Sequence, residues 1–271
     1  MRCFISRFFF LLGILLCFSA CKKKQSVEIR GDFKKYYDQY NVEGSFALYD
    51  TKNDQFILYN PAQFKEPFIP ASTFKICNSL IGLETGVITD ENFIIQWDGT
   101  HHPNENWNYD QDLKTSFKNS TVWYYQELAR RVDGTLMKYW LDQADYGNAD
   151  TSGGIDRFWL SGGLRISPKQ QIDFLRRLHD DSLPFSKRSM AIVRKIMIAS
   201  DTLGVVLRAK TGWGSQNKLE IGWYVGYFET KDNVYYFANC IQTPDPNNLK
   251  FGQARIEIPY QIMNELKLLK N

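Results

Sequence analysis

Ser72, Thr73, Phe74 and Lys75 follow Pro70-Ala71 and open a stretch with helical spacing. Positions i and i+3 of a helix share a face, so the Ser72 hydroxyl and the Lys75 amine come within reach of each other. An alcohol is a weak nucleophile until a base takes its proton, and a lysine is that base only when uncharged. A free lysine has a pKa of about 10.4, so burial must lower it. Ile76, Leu80 and Ile81 on the following turns offer an apolar wall. The helix start adds unpaired N–H groups and a positive dipole end for a developing oxyanion. The S-x-x-K pattern is short, and the chain carries it at Ser19–Lys22, Ser72–Lys75 and Ser215–Lys218. Only the second opens a helix. Alone, it reads more readily as an N-cap serine followed by a solvated lysine.

Three more short elements follow in order. Ser120-Thr121-Val122 opens a second helix, Tyr146-Gly147-Asn148 makes a turn, and Lys210-Thr211-Gly212 ends a strand. S-x-x-K together with K-T-G is the pair shared by serine β-lactamases and penicillin-binding proteins. On these residues the chain resembles a class D serine β-lactamase, the oxacillinase group, over essentially its whole mature length. Class A enzymes carry S-D-N where this chain has Ser120-Thr121-Val122, and their E-x-x-L-N loop is missing. Class C enzymes use Y-A-N in place of Tyr146-Gly147-Asn148. Phe158-Trp159-Leu160 followed by Gly162-Gly163 matches the family's tryptophan segment.

The resemblance implies a β-lactam substrate, an acyl-enzyme on Ser72, and no cofactor or metal other than CO2 held as a carbamate on Lys75. That carbamate would be the general base for acylation and for release of the acyl group. Only a neutral amine attacks CO2, so the pocket must be dry. Val122 supplies an apolar side chain there, and the Trp159 indole N–H offers a donor to the resulting anion. Ser120 would relay a proton to the leaving nitrogen, with Lys210 favouring the relay. Thr211 and Arg255 would hold the substrate carboxylate, for which a bidentate arginine is suited. The backbone N–H groups of Ser72 and Trp213 would form the oxyanion hole. Tyr146 would shape the site without moving a proton. Loops around Trp107, Phe117 and the segment after Trp213 would set the substrate spectrum.

Other elements must position these groups. Ser45–Tyr49 and Phe56–Tyr59 flank Lys52-Asn53-Asp54 and predict a hairpin. Helices are expected at 73–83, 120–132, 135–143 and 168–179, the last with Ser167 as N-cap, Pro168 at N1 and Gln170 at N3. Strands are expected at 205–210, 221–230 and 234–241, and a closing helix at 255–269. The fold class is therefore α/β of the α+β type. An antiparallel sheet is built from both chain ends, with flanking helices and a helical subdomain to one side. The resemblance implies the same arrangement, that of the serine β-lactamases and penicillin-binding proteins.

The 271 residues are 15% aromatic and 23% charged, which excludes a disordered chain. A net charge of +3 excludes a generic nucleic-acid binder. Residues 1–20 read as an export leader, with Arg2 and Arg7 before an apolar run from Phe8 to Phe18 too short to span a bilayer. Ser19-Ala20 before Cys21 resembles a bacterial lipoprotein cleavage site. The expected protein is thus exported, periplasmic and lipid-anchored at Cys21, with residues 21–30 as a tether and 31–271 as one catalytic domain. Without Arg2 and Arg7, 31 basic residues face 30 acidic ones. Cys77 and Cys240 lie in apolar stretches and read as buried, inert thiols.

Two rival readings share the motifs. One is a covalent β-lactam sensor that acylates and stalls, which would need a membrane-crossing partner or domain beyond the leader. The other is a penicillin-binding peptidase, against which Val122, Tyr146-Gly147-Asn148 and Trp159 argue together.

Overall fold

The computed structural model describes residues 25–202 and 204–269. The leader expected over residues 1–20 and the lipidation expected at Cys21 lie outside the described residues. The regular elements run β1 (Ser26–Ile29), α1 (Lys34–Asp38), β2 (Glu43–Asp50), β3 (Gln55–Tyr59), α2 (Lys75–Glu84), β4 (Ile94–Ile95), β5 (Gln111–Asp112), α3 (Leu113–Asn119), α4 (Val122–Val132), α5 (Gly134–Gln143), α6 (Pro168–His179), α7 (Lys187–Ile196), β6 (Ile198–Thr202), β7 (Val205–Gln216), β8 (Leu219–Glu229), β9 (Val234–Thr243) and α8 (Phe251–Glu265).

Seven strands form one sheet in the order β1-β3-β2-β9-β8-β7-β6. The hairpins β2–β3 and β8–β9 meet along the antiparallel pair β2–β9, so the two chain ends share one sheet, as expected. Successive side chains of a strand point to opposite faces. In β8, Ile221, Trp223, Val225 and Tyr227 enter the core beneath the helical layer. Tyr224 and Phe228 enter a second core with Phe251, Ala254, Ile258 and Ile262 of α8. Helices thus cover both faces, which is why β8 and β9 are apolar at almost every position rather than alternating.

Helix α2 runs through the helical layer and is buried on every side from Lys75 to Leu83. Each fully buried Leu or Ile stabilises by about 1.5–3 kcal/mol, which offsets carrying Lys75 into the same interior. Helix α6 packs against the sheet through Phe174, Leu175 and Leu178 and carries the predicted cap. The Ser167 hydroxyl accepts from Gln170 N–H, and Ser167 N–H donates to the Gln170 side chain. Cys77 and Cys240 are buried free thiols.

Four boundaries differ from the sequence expectation. Ser26–Ile29, expected within a tether, pairs in parallel with β3 as the edge strand. Ser120 does not open a helix; it is the left-handed corner between α3 and α4, at φ 55°. Lys210-Thr211-Gly212 lies inside β7, which runs on to Gln216 because β8 pairs with it along its whole length. The closing helix spans Phe251–Glu265 rather than 255–269, with Pro259 inside it.

Candidate active site

Ser72 lies in a short 3-10 turn, Ala71–Phe74, that leads into α2. Ala71 before it has φ 47°, in the left-handed region, and its N–H donates to the Trp159 carbonyl at 3.0 Å. Strain of this kind persists only where the surroundings over-determine it. Thr73 Oγ1 donates to the Pro70 carbonyl and accepts from Gln171 Nε2 of α6, which pins the turn from behind. Lys75 Nζ then donates to Ser72 Oγ at 2.8 Å. Lys75 is fully buried, with its amine 5.2 Å from the centroid of the Tyr125 ring. Burial, and secondarily the charge of Lys210, hold its pKa well below the usual lysine value.

The second hydroxyl is brought in by a corner rather than by a helix start. Thr121 stands at the N-terminal end of α4 without capping it, and its Oγ1 donates instead to Gln111 Oε1 at 2.6 Å, tying the corner to β5. Ser120 Oγ then accepts from Lys210 Nζ at 3.1 Å. Lys210 is buried in β7, and its pKa is lowered to about 7, first by burial and then by the Arg255 charge.

Gly212 allows β7 to approach this close. A Cβ there would stand 2.9 Å from the Pro70 carbonyl and 3.1 Å from Thr73 Cγ2. The strand backbone at Trp213 therefore runs beside the turn that carries Ser72. The Trp213 indole donates to Glu220 Oε2 at 2.7 Å and packs on Phe251, with ring centroids 5.3 Å apart. Arg255 donates from Nη1 to the Gly212 carbonyl at 2.8 Å and from Nε to the Gly252 carbonyl at 3.0 Å. Pro259 has no N–H to give the Arg255 carbonyl four residues back. Asn239 Nδ2 of β9 donates to that carbonyl instead, at 3.0 Å, so the proline binds this turn of α8 to the sheet. Arg255 has no ion pair with a carboxylate among the described residues, and burial lowers its pKa.

Ser72, Ser120, Val122, Thr211, Trp213 and Arg255 line one cavity of about 380 Å³, with Asn104, Trp107 and Asn119. Lys75 stands behind Ser72 and Lys210 behind Ser120. Tyr146 and Trp159 do not reach the cavity. Tyr146 is buried edge-on against Phe74 and Phe174. Trp159 is fully buried 5.3 Å from Phe74, and its Nε1 has no hydrogen-bond partner among the described residues. Phe117 faces a different cavity. Asn104, Asn119, Gln171 and Asn239 carry no motif that reveals them. Each acts through a contact with residues far away in sequence or through its place in an irregular loop.

The cleft presents a buried Lys210 and a half-buried Arg255 with no carboxylate paired to either among the described residues, a buried amine of depressed pKa on one hydroxyl, and a second hydroxyl hydrogen-bonded to Lys210. Such a set can accept a carboxylate, deliver an alkoxide and return a proton. The family model described as the penicillin binding protein transpeptidase domain matches residues 35–264. Beta-lactamase OXA-48 of Klebsiella pneumoniae is 38% identical over 234 residues, 86% of this chain and 87% of that protein. Regulatory protein BlaR1 of Bacillus licheniformis is 36% identical over 235 residues, 86% of this chain but 38% of that protein. The crystal structure of the class D beta-lactamase YbXI from Nostoc superposes with a TM-score of 0.83 at 44% identity, covering 88% of this chain and 99% of that one. The chain belongs to the class D β-lactamases of the transpeptidase-domain family.

Proposed function

We propose that the protein is a serine β-lactamase that hydrolyses the β-lactam amide through an acyl-enzyme on Ser72. The observation that carries this reading is the buried Lys75 amine 2.8 Å from Ser72 Oγ. Burial lowers the pKa of this amine, which favours the form whose lone pair can receive the Ser72 proton as the oxygen attacks. Arg255 and Thr211 orient the substrate carboxylate, and the main-chain N–H groups of Ser72 and Trp213 receive the developing oxyanion. Lys210 keeps Ser120 aimed at the leaving nitrogen, so that Ser120 returns the proton there.

The fit of a CO2 adduct on Lys75 rests on two features: an amine with a depressed pKa and the unpartnered buried Trp159 N–H. Such an adduct would supply an anionic oxygen base for acylation and deacylation, with Trp159 as its donor and Val122 excluding water. Export through residues 1–20, lipid attachment at Cys21 and a periplasmic location belong to the same reading and rest on the leader motif alone. Incorporation of labelled palmitate into the expressed protein, lost in Cys21→Ala, tests the anchor.

The similarity to BlaR1 favours one alternative, a sensor that acylates and stalls. Steady-state hydrolysis of nitrocefin separates the two. A hydrolase shows sustained turnover that bicarbonate stimulates, and Ser72→Ala forms no covalent penicilloyl adduct by intact mass. A single burst of one equivalent overturns the hydrolase reading, and an adduct on the alanine variant moves the nucleophile elsewhere.

A further inference from the structure

A second cavity, of about 450 Å³, adjoins the cleft on the other side of Lys210 and Thr211. Part of its wall is a break in strand pairing. Ile198 pairs with Arg208 and Ser200 with Leu207, so Ala199 is an extra residue that bulges β6 away from β7. The floor is apolar: Phe117, Met197, Tyr224 and Ile256 line it. The charges are all of one sign. Lys114, Lys118, Lys195 and Lys210 line the cavity, and no Asp or Glu does. Lys195 is paired with Glu91 at 2.5 Å and Lys114 also faces that carboxylate, whereas the side chain of Lys118 has no hydrogen bond or ion pair among the described residues. Lys210 is buried in the wall, 5.5 Å from the centroid of the Phe117 ring, with its Nζ on Ser120.

We infer that this cavity is a binding site for an organic anion with an apolar body. The size is that of a small-molecule pocket. The floor suits a ring system, and the lysine rim suits a carboxylate or sulfonate on it. The ligand sits against Lys210 from behind, so its charge acts on the ammonium that holds Ser120. The same chemistry has two possible sources, a free small molecule or a group carried by the molecule in the cleft.

The test is a fluorescence titration of the folded protein with 8-anilinonaphthalene-1-sulfonate. Wild type is expected to bind one equivalent saturably. Ala199→Trp fills the space from the exposed bulge and should weaken binding at least about tenfold. Lys118→Glu reverses a rim charge and should weaken it about fivefold. Both variants should keep the parent circular dichroism spectrum. The sources are separated with Ser72→Ala protein saturated with benzylpenicillin, an arm that rests on the function proposed above, whereas the others do not. Retained binding assigns the site to a separate molecule, and lost binding assigns it to a substituent of the cleft ligand. Absence of saturable binding to wild type, or binding indifferent to both variants, overturns the inference.

Discussion

Lys210 Nζ donates to Ser120 Oγ across 3.1 Å, joining the middle of β7 to the left-handed corner between α3 and α4. This bond ties two layers together at the cleft, because one partner belongs to the sheet and the other to the helical layer. It also links the charge state of one group to the aim of the other.

That charge state predicts a pH profile. Lys210 titrates at about 7 because it is buried and faces Arg255. Its ammonium holds Ser120, so kcat/KM, which reports the free enzyme, should fall as pH rises through about 7. A bound carboxylate favours the charged form, so the same limb in kcat should lie at higher pH. Arg255→Ala removes a repelling cation and should move the kcat/KM limb to higher pH while raising KM. A limb at the same pH in both proteins would remove Lys210 from the profile.

Lys75 should trade stability for function. Burial holds its folded pKa well below the ordinary 10.5, so it binds a proton more readily once unfolded. The unfolded chain therefore binds more protons, and stability should rise with pH from the depressed folded value up to about 10.5. Lys210 adds the same sign between about 7 and 10.5. In CO2-depleted buffer, Lys75→Met should be inactive yet more stable than wild type at pH 7, by about 1–3 kcal/mol. The gain should shrink at pH 9.5. Urea denaturation at the two pH values checks it, and an equal loss of stability at both would contradict the buried neutral amine.

Trp159→Phe separates packing from donation. The ring is fully buried and its N–H has no partner among the described residues. An unsatisfied buried donor costs about 1–3 kcal/mol, so its removal offsets the smaller ring. Stability should stay within about 1 kcal/mol of wild type. Turnover should fall more than about tenfold and need more bicarbonate to recover, by the role proposed for the indole. A parallel loss of stability and activity, with no change in bicarbonate dependence, would make Trp159 a core residue only.

Gly147→Ala should be costly although the residue never touches the cleft. Its φ is 60°, and an added Cβ would stand 2.1 Å from the Arg165 carbonyl. That carbonyl accepts from Asn148 N–H at 2.9 Å, and Asn148 Oδ1 accepts from Arg165 N–H. The substitution must break this turn, costing at least about 2 kcal/mol. The thermal midpoint should fall by about 4–8 °C. An unchanged midpoint would show that the turn relaxes freely.

The order of S-x-x-K, S-x-V, Y-G-N and K-T-G, the two hairpins and the Ser167 cap are all local in sequence. Each depends on a spacing of one to four residues, and such spacings survive in any tertiary context. The family, the sheet built from both chain ends with its flanking helices, and the Ser72–Lys75 pair were therefore legible from the chain alone. What burial and long-range contact decide was not. The Lys75 pKa falls chiefly because α2 is packed on all sides, and Arg255 is bound to the sheet by an asparagine 16 residues earlier in the chain. Ser120 is a corner and not a helix start because Lys210, 90 residues away, holds its hydroxyl and Gln111 holds the neighbouring Thr121. A pKa and an aim are properties of the surroundings of a group, and those surroundings exist only once the layers have closed on each other.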